Sequence, residues 1–358
     1  MGEAFIVGRG DSSSSGTPKL VTNIFTTNGV FVVPNARNQQ FTVRIFGGGG
    51  GGGCATNNFN MIAGGGGGFM NNAVLTLQEG KAISVQIGTG GKGANVIVNE
   101  NTYPTSYTGN NGSGGGTTSF GTYLSALGGF GGNSYMIAIG GSGGSGGGCS
   151  GRKAGDGYQF GGGGGWGLGG KWGGGGGLNQ TAYFASDNPN RAKGGCLYNN
   201  INAFISNTGS ESSIINAVSG YSANGGRGGD RAYDAQNGTN TIGMNLDYTG
   251  KGLAGNNNGN SKACGGGGYG GCGGIIGGGG GGYGANGGDD IGGGGGYGGR
   301  GGSHYGGGGA YGAGGDGYAG SGGPLPSDGS YGGGGGGGYA NNKAGNGGNG
   351  ICIIQYYT

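Results

Sequence analysis

"FTVRIFGGGGGGGCA", residues 41–55, begins as a β-strand and runs straight into seven glycines. Phe41, Val43 and Ile45 alternate with Thr42 and Arg44, the period-two pattern of a strand with one buried face. Gly47 to Gly53 then offers no side chain to pack. Ordering each Gly costs about 0.5–1 kcal/mol more than ordering Ala. With no side chains present, main-chain hydrogen bonds between closely packed backbones must offset that cost. The polyproline-II conformation has three residues per turn, rises about 3.1 Å per residue and leaves its N–H and C=O groups free to bond neighbours. Only Gly lets such rods approach closely. The stretch therefore reads as a strand that hands over, after Phe46, to one rod of a polyglycine-II bundle.

The composition narrows the alternatives. Gly makes up 118 of 358 residues, but it comes in unbroken runs and there are only 6 Pro, which excludes collagen. Gly-rich chains are ordinarily flexible coils. A hydrophobic fraction of 32%, with 20 Tyr and 12 Phe, opposes that reading. With 9% charged residues and a formal net charge of +3, the chain has no electrostatic footprint for nucleic acid. Arg227-Gly228-Gly229 and Arg300-Gly301-Gly302 are its only RGG triplets. "MGEAFIVGRG" lacks the basic start and apolar core of a secretory signal, and Ile6 stands where N-myristoylation wants Ser or Thr. No 18-residue apolar run is present, so no membrane span is expected. The six cysteines (Cys54, Cys149, Cys196, Cys264, Cys272, Cys352) match no zinc or redox spacing. They read as free, small packing residues, with disulfides formed later as the alternative.

The fold class expected is mainly β and irregular: a β-sandwich frame, a bundle of polyglycine-II helices, and almost no α-helix. Residues 1–22, with "DSSSSGTPK", read as an N-terminal attachment arm. Residues 23–140 read as the frame with glycine-rich rods. Its strand-like segments are 24–34, 39–46, 73–78, 82–90 and 117–129, with turns at Asn28-Gly29 and Glu79-Gly80. Residues 141–177 continue as rods. Residues 178–263 thin out in Gly and form an insertion, with one short helix expected over 210–220. Exposed loops on a rigid scaffold carry binding more often than their supports do, so this is the candidate binding region. Residues 264–349 form a repeat bundle, and 350–358, "GICIIQYYT", is a closing strand.

The repeat is legible in Tyr269, Tyr283, Tyr297 and Tyr311, each 14 residues apart. Fourteen is not a multiple of three, so one continuous rod cannot keep Tyr on one face. The expectation is a rod of about ten residues, roughly 31 Å long at about 3.1 Å per residue, followed by a turn. Ile275-Ile276, Asp289-Asp290-Ile291 and Ser303-His304-Tyr305 would be the turns. If successive rods run antiparallel, the Asp289 turn lies at the opposite end from the Ile275 and His304 turns.

Catalytic motifs are sparse. "GRGDS" spells an adhesion tripeptide and "GGRGGD" one start of a calcium nonapeptide, both of which arise easily in such a chain. GxGxxG carries no weight without a strand–helix context. Lys92 is followed by Gly93, so no Walker A pattern exists. His304 is the only histidine and the carboxylates are dispersed, so neither a multi-histidine metal site nor paired acid–base carboxylates are expected. The expectation is a non-enzyme with no cofactor. Trp166 and Trp172 flank "GLGGK" as caps or walls of the rods. Aromatics on a rigid, weakly charged surface suit sugar rings, which have an apolar face and a polar edge. The candidate binding residues are Tyr183, Phe184, Tyr198, Phe204, Tyr221, Tyr233, Tyr248, His304 and Tyr305.

"GVFVVPNARNQQFTVRIFGGGGGGG" (29–53), "GGGTTSFGTYLSALGG" (114–129) and the closing "GGNGICIIQYYT" (347–358) resemble the glycine-rich domain of phage and prophage tail proteins. "MGEAFIVGRG" resembles the opening of tail proteins from phages of Gram-positive, gut-type bacteria. Similar glycine-rich domains occur in the ectodomains of anaplastic-lymphoma-kinase-type receptors. Tail-fibre adhesins of T-even-type phages are similar in using polyglycine-II bundles whose turns contact the host receptor. The resemblance implies a virion tail or fibre protein, extracellular once assembled, made in the host cytoplasm without a signal peptide. Its implied partners are a bacterial cell-surface glycan or surface protein, other tail or fibre subunits, and further copies of itself. A purely structural subunit of a virion fibre or extracellular filament is the second reading. An ice-binding polyglycine-II protein is the third, opposed by the Tyr, Asp and Arg that interrupt the rods.

Overall fold

The computed structural model describes residues 5–7, 17–55, 62–95, 97–99, 106–108, 111–133, 140–144, 146–148, 155, 286–296, 299–317, 326–339 and 343–358. It is mainly β, with no α-helix among the described residues. One sheet is built from β1 (Phe5–Val7), β2 (Leu20–Phe25), β4 (Gln40–Phe46), β6 (Met70–Thr76) and β13 (Ile351–Tyr357). Its order is β1-β2-β13-β4-β6, antiparallel throughout. A second antiparallel sheet holds β3 (Gly29–Val32), β7 (Ala82–Gln86), β10 (Thr118–Phe120) and β11 (Leu124–Ala126), in the order β11-β10-β7-β3. Two short pairs complete the set. β5 (Cys54–Ala55) runs parallel to β12 (Gly338–Tyr339), and β8 (Ile97–Asn99) pairs antiparallel with β9 (Ser106–Thr108). No helix among the described residues is long and apolar enough to cross a membrane.

The alternation read in residues 41–46 places one face of β4 inward: Phe41, Val43 and Ile45 are buried and Thr42 and Arg44 are not. They join Phe31, Val85, Phe120, Ile354 and Tyr356 in one apolar core between the two sheets. Phe41 meets Phe31 edge-on at 5.9 Å and Tyr356 at 5.1 Å between ring centroids. The expected turns sit where they were read, but both cross between sheets. The chain leaves β2 through residues 26–28 into β3 of the other sheet, and leaves β6 through Glu79-Gly80 into β7. Gly80 has φ 76°, which a residue with a side chain adopts at a cost. The closing strand is central: β13 lies between β2 and β4.

Beyond β4 the chain is neither sheet nor helix. Gly47, Gly48 and Gly49 donate their N–H groups to the carbonyls of Phe69, Gly116 and Gly348. Three residues on, Gly50, Gly51 and Gly52 donate to Gly66, Ser113 and Gly345 of the same three segments. The carbonyls of Gly48, Gly49 and Gly50 accept from Gly129, Gly91 and Gly335. Those of Gly51, Gly52 and Gly53 accept from Gly132, Ala94 and Gly338. One segment thus donates to three antiparallel neighbours and accepts from three parallel ones, at 2.8–3.0 Å. Partners recur every three residues, the period of an extended threefold helix. A Cβ on Gly49 would overlap the carbonyl of Gly333, so no other residue fits there.

Polar side chains complete this network where segments meet the strands. Thr118 is fully buried, and its Oγ1 accepts the N–H of Gly88 at 3.0 Å. Thr118→Val should therefore cost about 1–3 kcal/mol, the desolvation of an unpaired amide. Urea unfolding of the variant beside the parent checks it, and an unchanged midpoint would show that the bond contributes nothing.

The repeat corrects one expectation. Asp289–Ile291 is a turn, Gly292–Gly296 runs one way, and Gly299–Gly302 runs back, with Gly293 N–H on Gly302 O and Gly296 N–H on Gly299 O. Ser303–Tyr305 turns again, and the chain bends once more at Ala310–Gly312. The stretch from Ser303 to Asp316 therefore holds two short segments and two turns rather than one ten-residue rod. The Asp289 and His304 turns lie side by side, with His304 N–H donating to Asp289 O at 3.1 Å. They share one end of the bundle, contrary to the antiparallel rod-per-repeat expectation. The reason is length. Segments of about four to seven residues at about 3.1 Å each span the bundle, as Gly306–Gly309 does between two turns and Gly47–Gly53 between β4 and β5. Tyr311 marks the second turn of its unit. Ile275 and Tyr269, Tyr283 and Tyr297 lie outside the described residues, as does the helix expected over 210–220.

Candidate functional site

The two ends of the bundle differ in chemistry. At the sandwich end, Tyr311 lies on Phe46 with ring centroids 5.4 Å apart, and Gly312 N–H donates to Tyr331 O. At the far end, Tyr305 O accepts the N–H of Gly337, one residue before β12. His304 and Tyr305, both expected in the binding surface, are therefore at the end remote from the sandwich. Tyr183, Phe184, Tyr198, Phe204, Tyr221, Tyr233 and Tyr248 lie outside the described residues.

The far-end turns share one unusual backbone. Asp290 and Ile291 have φ of 46° and 59°, and His304 and Tyr305 have φ of 54° and 60°. The left-handed region costs a residue with a Cβ about 1–2 kcal/mol. Gly would remove that cost, and this chain uses Gly for a third of its length. Here it places bulky residues instead. His304 and Asp290 are each about one-third exposed, and their side chains approach at 3.7 Å between Nε2 and Oδ2. Tyr305 N–H donates to Ile291 O, which locks the second turn against the first.

Side-chain acceptors link the turns into a row. Ser303 Oγ accepts the N–H of Asp289 at 3.1 Å, Asp316 Oδ1 that of Ser303 at 2.7 Å, and Ser327 Oγ that of Asp316 at 2.8 Å. Arg300 reaches Asp316 at 3.9 Å, a half-open pair worth little by itself. Each Ser or Asp oxygen takes the place of a backbone carbonyl as acceptor for a main-chain N–H. Asp316 and Ser327 were not singled out in the sequence. The signal was there in Asp289, Ser303 and Asp316, which recur 14 and 13 residues apart.

Reactive groups are quiet in this part of the molecule. No group of three or more metal-ligating side chains comes together among the described residues. Cys54 and Cys352 are buried, and burial pushes each thiol up from 9.0 to about 12. A neutral buried thiol is a poor nucleophile. The unfolded chain releases these protons near pH 9 and the folded chain holds them to about 12. Their contribution to stability is thus complete below pH 9 and is lost as pH rises towards 12. Iodoacetamide at pH 8 should leave both cysteines unmodified in the folded protein and label both in urea. Labelling of either at the unfolded rate in native buffer would contradict their burial.

Comparison with curated proteins returned no match. Residues 26–241, more than half of the chain, match the family model described as a glycine-rich domain. The match begins in the frame and takes in the Gly47–Gly53 run. With the glycines accounted for by backbone pairing in the described segments, the chain belongs to the glycine-rich domain family.

Proposed function

We propose that this protein is a non-enzymatic tail or fibre component of a virion that binds a host surface. The bonded glycine segments are, on this reading, polyglycine-II helices serving as a rigid, protease-resistant scaffold. The observation that carries the proposal is the pair of left-handed turns at the far end of the bundle, where Asp290, Ile291, His304 and Tyr305 stand in positions that favour Gly. Strained backbone of this kind clusters at functional sites, where the surrounding structure holds it in place. The partner is a bacterial glycan or surface protein, met non-covalently by aromatic anchors and adaptable polar groups. Residues 178–263 are the second contact region in this proposal, on their Tyr, Phe and Asn content.

The test is saturation binding of labelled protein to a panel of bacterial strains. It is run beside a His304→Ala/Tyr305→Ala double variant and a chain lacking residues 178–263. Saturable binding to a few strains is expected, weakened at least about tenfold by one of the two changes, as loss of an anchor of about 1.4 kcal/mol would give. Saturable binding that both variants retain in full would move the site elsewhere.

A structural fibre subunit is the second reading, and one observation favours it. Among the described residues β3 is an edge strand of its sheet, and Val30 and Val32 on it are each 60% exposed. Edge strands pair readily with another copy. Concentration-dependent polymers in light scattering, abolished by Val30→Lys/Val32→Lys, would support it over the adhesin.

A further inference from the structure

The 14-residue period recurs in the hydrogen bonds as well as in the sequence. Gly288 N–H donates to Gly293 O, and 14 residues on Gly302 donates to Gly307. Gly294 donates to Gly146 and, 14 on, Gly308 donates to Gly65, so equivalent segments each dock on a glycine segment of the earlier chain. Gly293 donates to Gly302, while Gly307 donates to Gly315, one residue short of the same shift because Ser303 and Asp316 are 13 residues apart where Asp289 and Ser303 are 14. The backbone follows the same rule. Asp290 and His304 are equivalent left-handed positions, as are Ile291 and Tyr305. So does the side-chain row, in which Ser303 caps Asp289 and Asp316 caps Ser303.

Each unit therefore bonds to its neighbour in the way that neighbour bonds to the next. Unit sequence is fixed at the glycines and free at the turns, which carry Asp-Ile in one unit and His-Tyr in the next. Bonds between units repeat along the array, and each unit also bonds the earlier chain through an equivalent glycine, Gly294 on Gly146 and Gly308 on Gly65; arrays whose interfaces repeat gain or lose whole units with the rest kept. We propose that the 14-residue hairpin of segments is a modular unit, and that the number of units sets the width of the far-end turn face. The proposal concerns the array and stands whether or not that face binds a host.

The test uses the full chain with three changes. The first deletes residues 289–302, joining Gly288 to Ser303, which restores the Gly-Ser-His-Tyr turn because Gly288 and Gly302 are equivalent. The second duplicates residues 289–302 in tandem. The third deletes residues 289–295, half a unit, which removes one turn and leaves a segment without its return. Thermal unfolding should shift by only about 5 °C or less in the two whole-unit variants, as for loss or gain of about 1–2 kcal/mol in a chain this size. The half-unit deletion should lose the cooperative transition or lower it by more than about 15 °C. Whole-unit variants that fall as far as the half-unit deletion would overturn the proposal. So would a half-unit deletion that leaves the transition in place. Binding is not the readout, so failure here is distinct from failure of the host-surface reading.

Discussion

Gly49→Ala should unfold the protein, whereas Gly114→Ala should leave it folded. Gly49 lies in the segment bonded on six sides. It donates to Gly348, accepts from Gly91, and a Cβ there would sit inside the carbonyl of Gly333. The obstacle is backbone held by its own hydrogen bonds, so no rotamer change relieves it. Displacing that segment breaks several bonds of about 1 kcal/mol each and leaves buried groups unpaired. The expected loss is at least about 4–5 kcal/mol, which few single substitutions reach. Gly114 is exposed, and a Cβ there meets its nearest atom, Gly129 O, at an ordinary 3.5 Å. Its substitution should fall within about 1 kcal/mol of neutral, and the reduced freedom of the unfolded chain favours folding. Urea titration followed by tyrosine fluorescence separates the two. Equal midpoints would mean that side-chain packing, and not backbone packing, decides stability.

Removal of residues 351–358 should have an effect as large. β13 is the middle strand of its sheet, hydrogen-bonded to β2 from Cys352 to Tyr357 and to β4 from Ile351 to Gln355. Cys352 and Ile354 are fully buried on the core face, and Tyr356 packs on Phe41 and Phe31. Without it, β2 and β4 face a gap one strand wide, and the core loses several side chains, each worth about 1.5–3 kcal/mol. The truncated chain should show no cooperative unfolding. A peptide of residues 350–358, added in excess, should restore it, since the groove between β2 and β4 matches that strand alone. Cooperative unfolding of the truncated chain without peptide would contradict the topology.

The strands were legible because their residues carry the signal. Phe41, Val43 and Ile45 alternate with polar neighbours, and "ICIIQYY" is apolar over a length that suits a strand buried on both faces. The handover at Phe46 was legible for the opposite reason: seven glycines leave only the backbone to bond. Sheet membership was not legible. Asn28-Gly29 looks like a hairpin turn, yet β2 and β3 belong to different sheets, because Phe31 must face Phe41 across the core rather than lie beside it. The repeat was half legible. Its period of 14 and the turns at Asp289 and His304 were read correctly, but the tyrosine was not seen as a second turn. Tyrosine at a bend carries no turn signature of its own. Its place is set by the Phe46 ring that Tyr311 covers, a contact distant in sequence. Of the candidate binding residues, only His304 and Tyr305 belong to the described part of the chain, and the repeat had already marked them.

The central claim is that glycine segments with no side chains are held as firmly as the sandwich core, by backbone bonds repeating every three residues. Native-state amide hydrogen exchange at Gly47 to Gly52, read by NMR, tests it most directly. The account predicts exchange as slow as at Val43 and Ile354, at the rate set by global unfolding. Exchange at Gly49 and Gly51 at the rate of an unstructured peptide, with Val43 still protected, would contradict it.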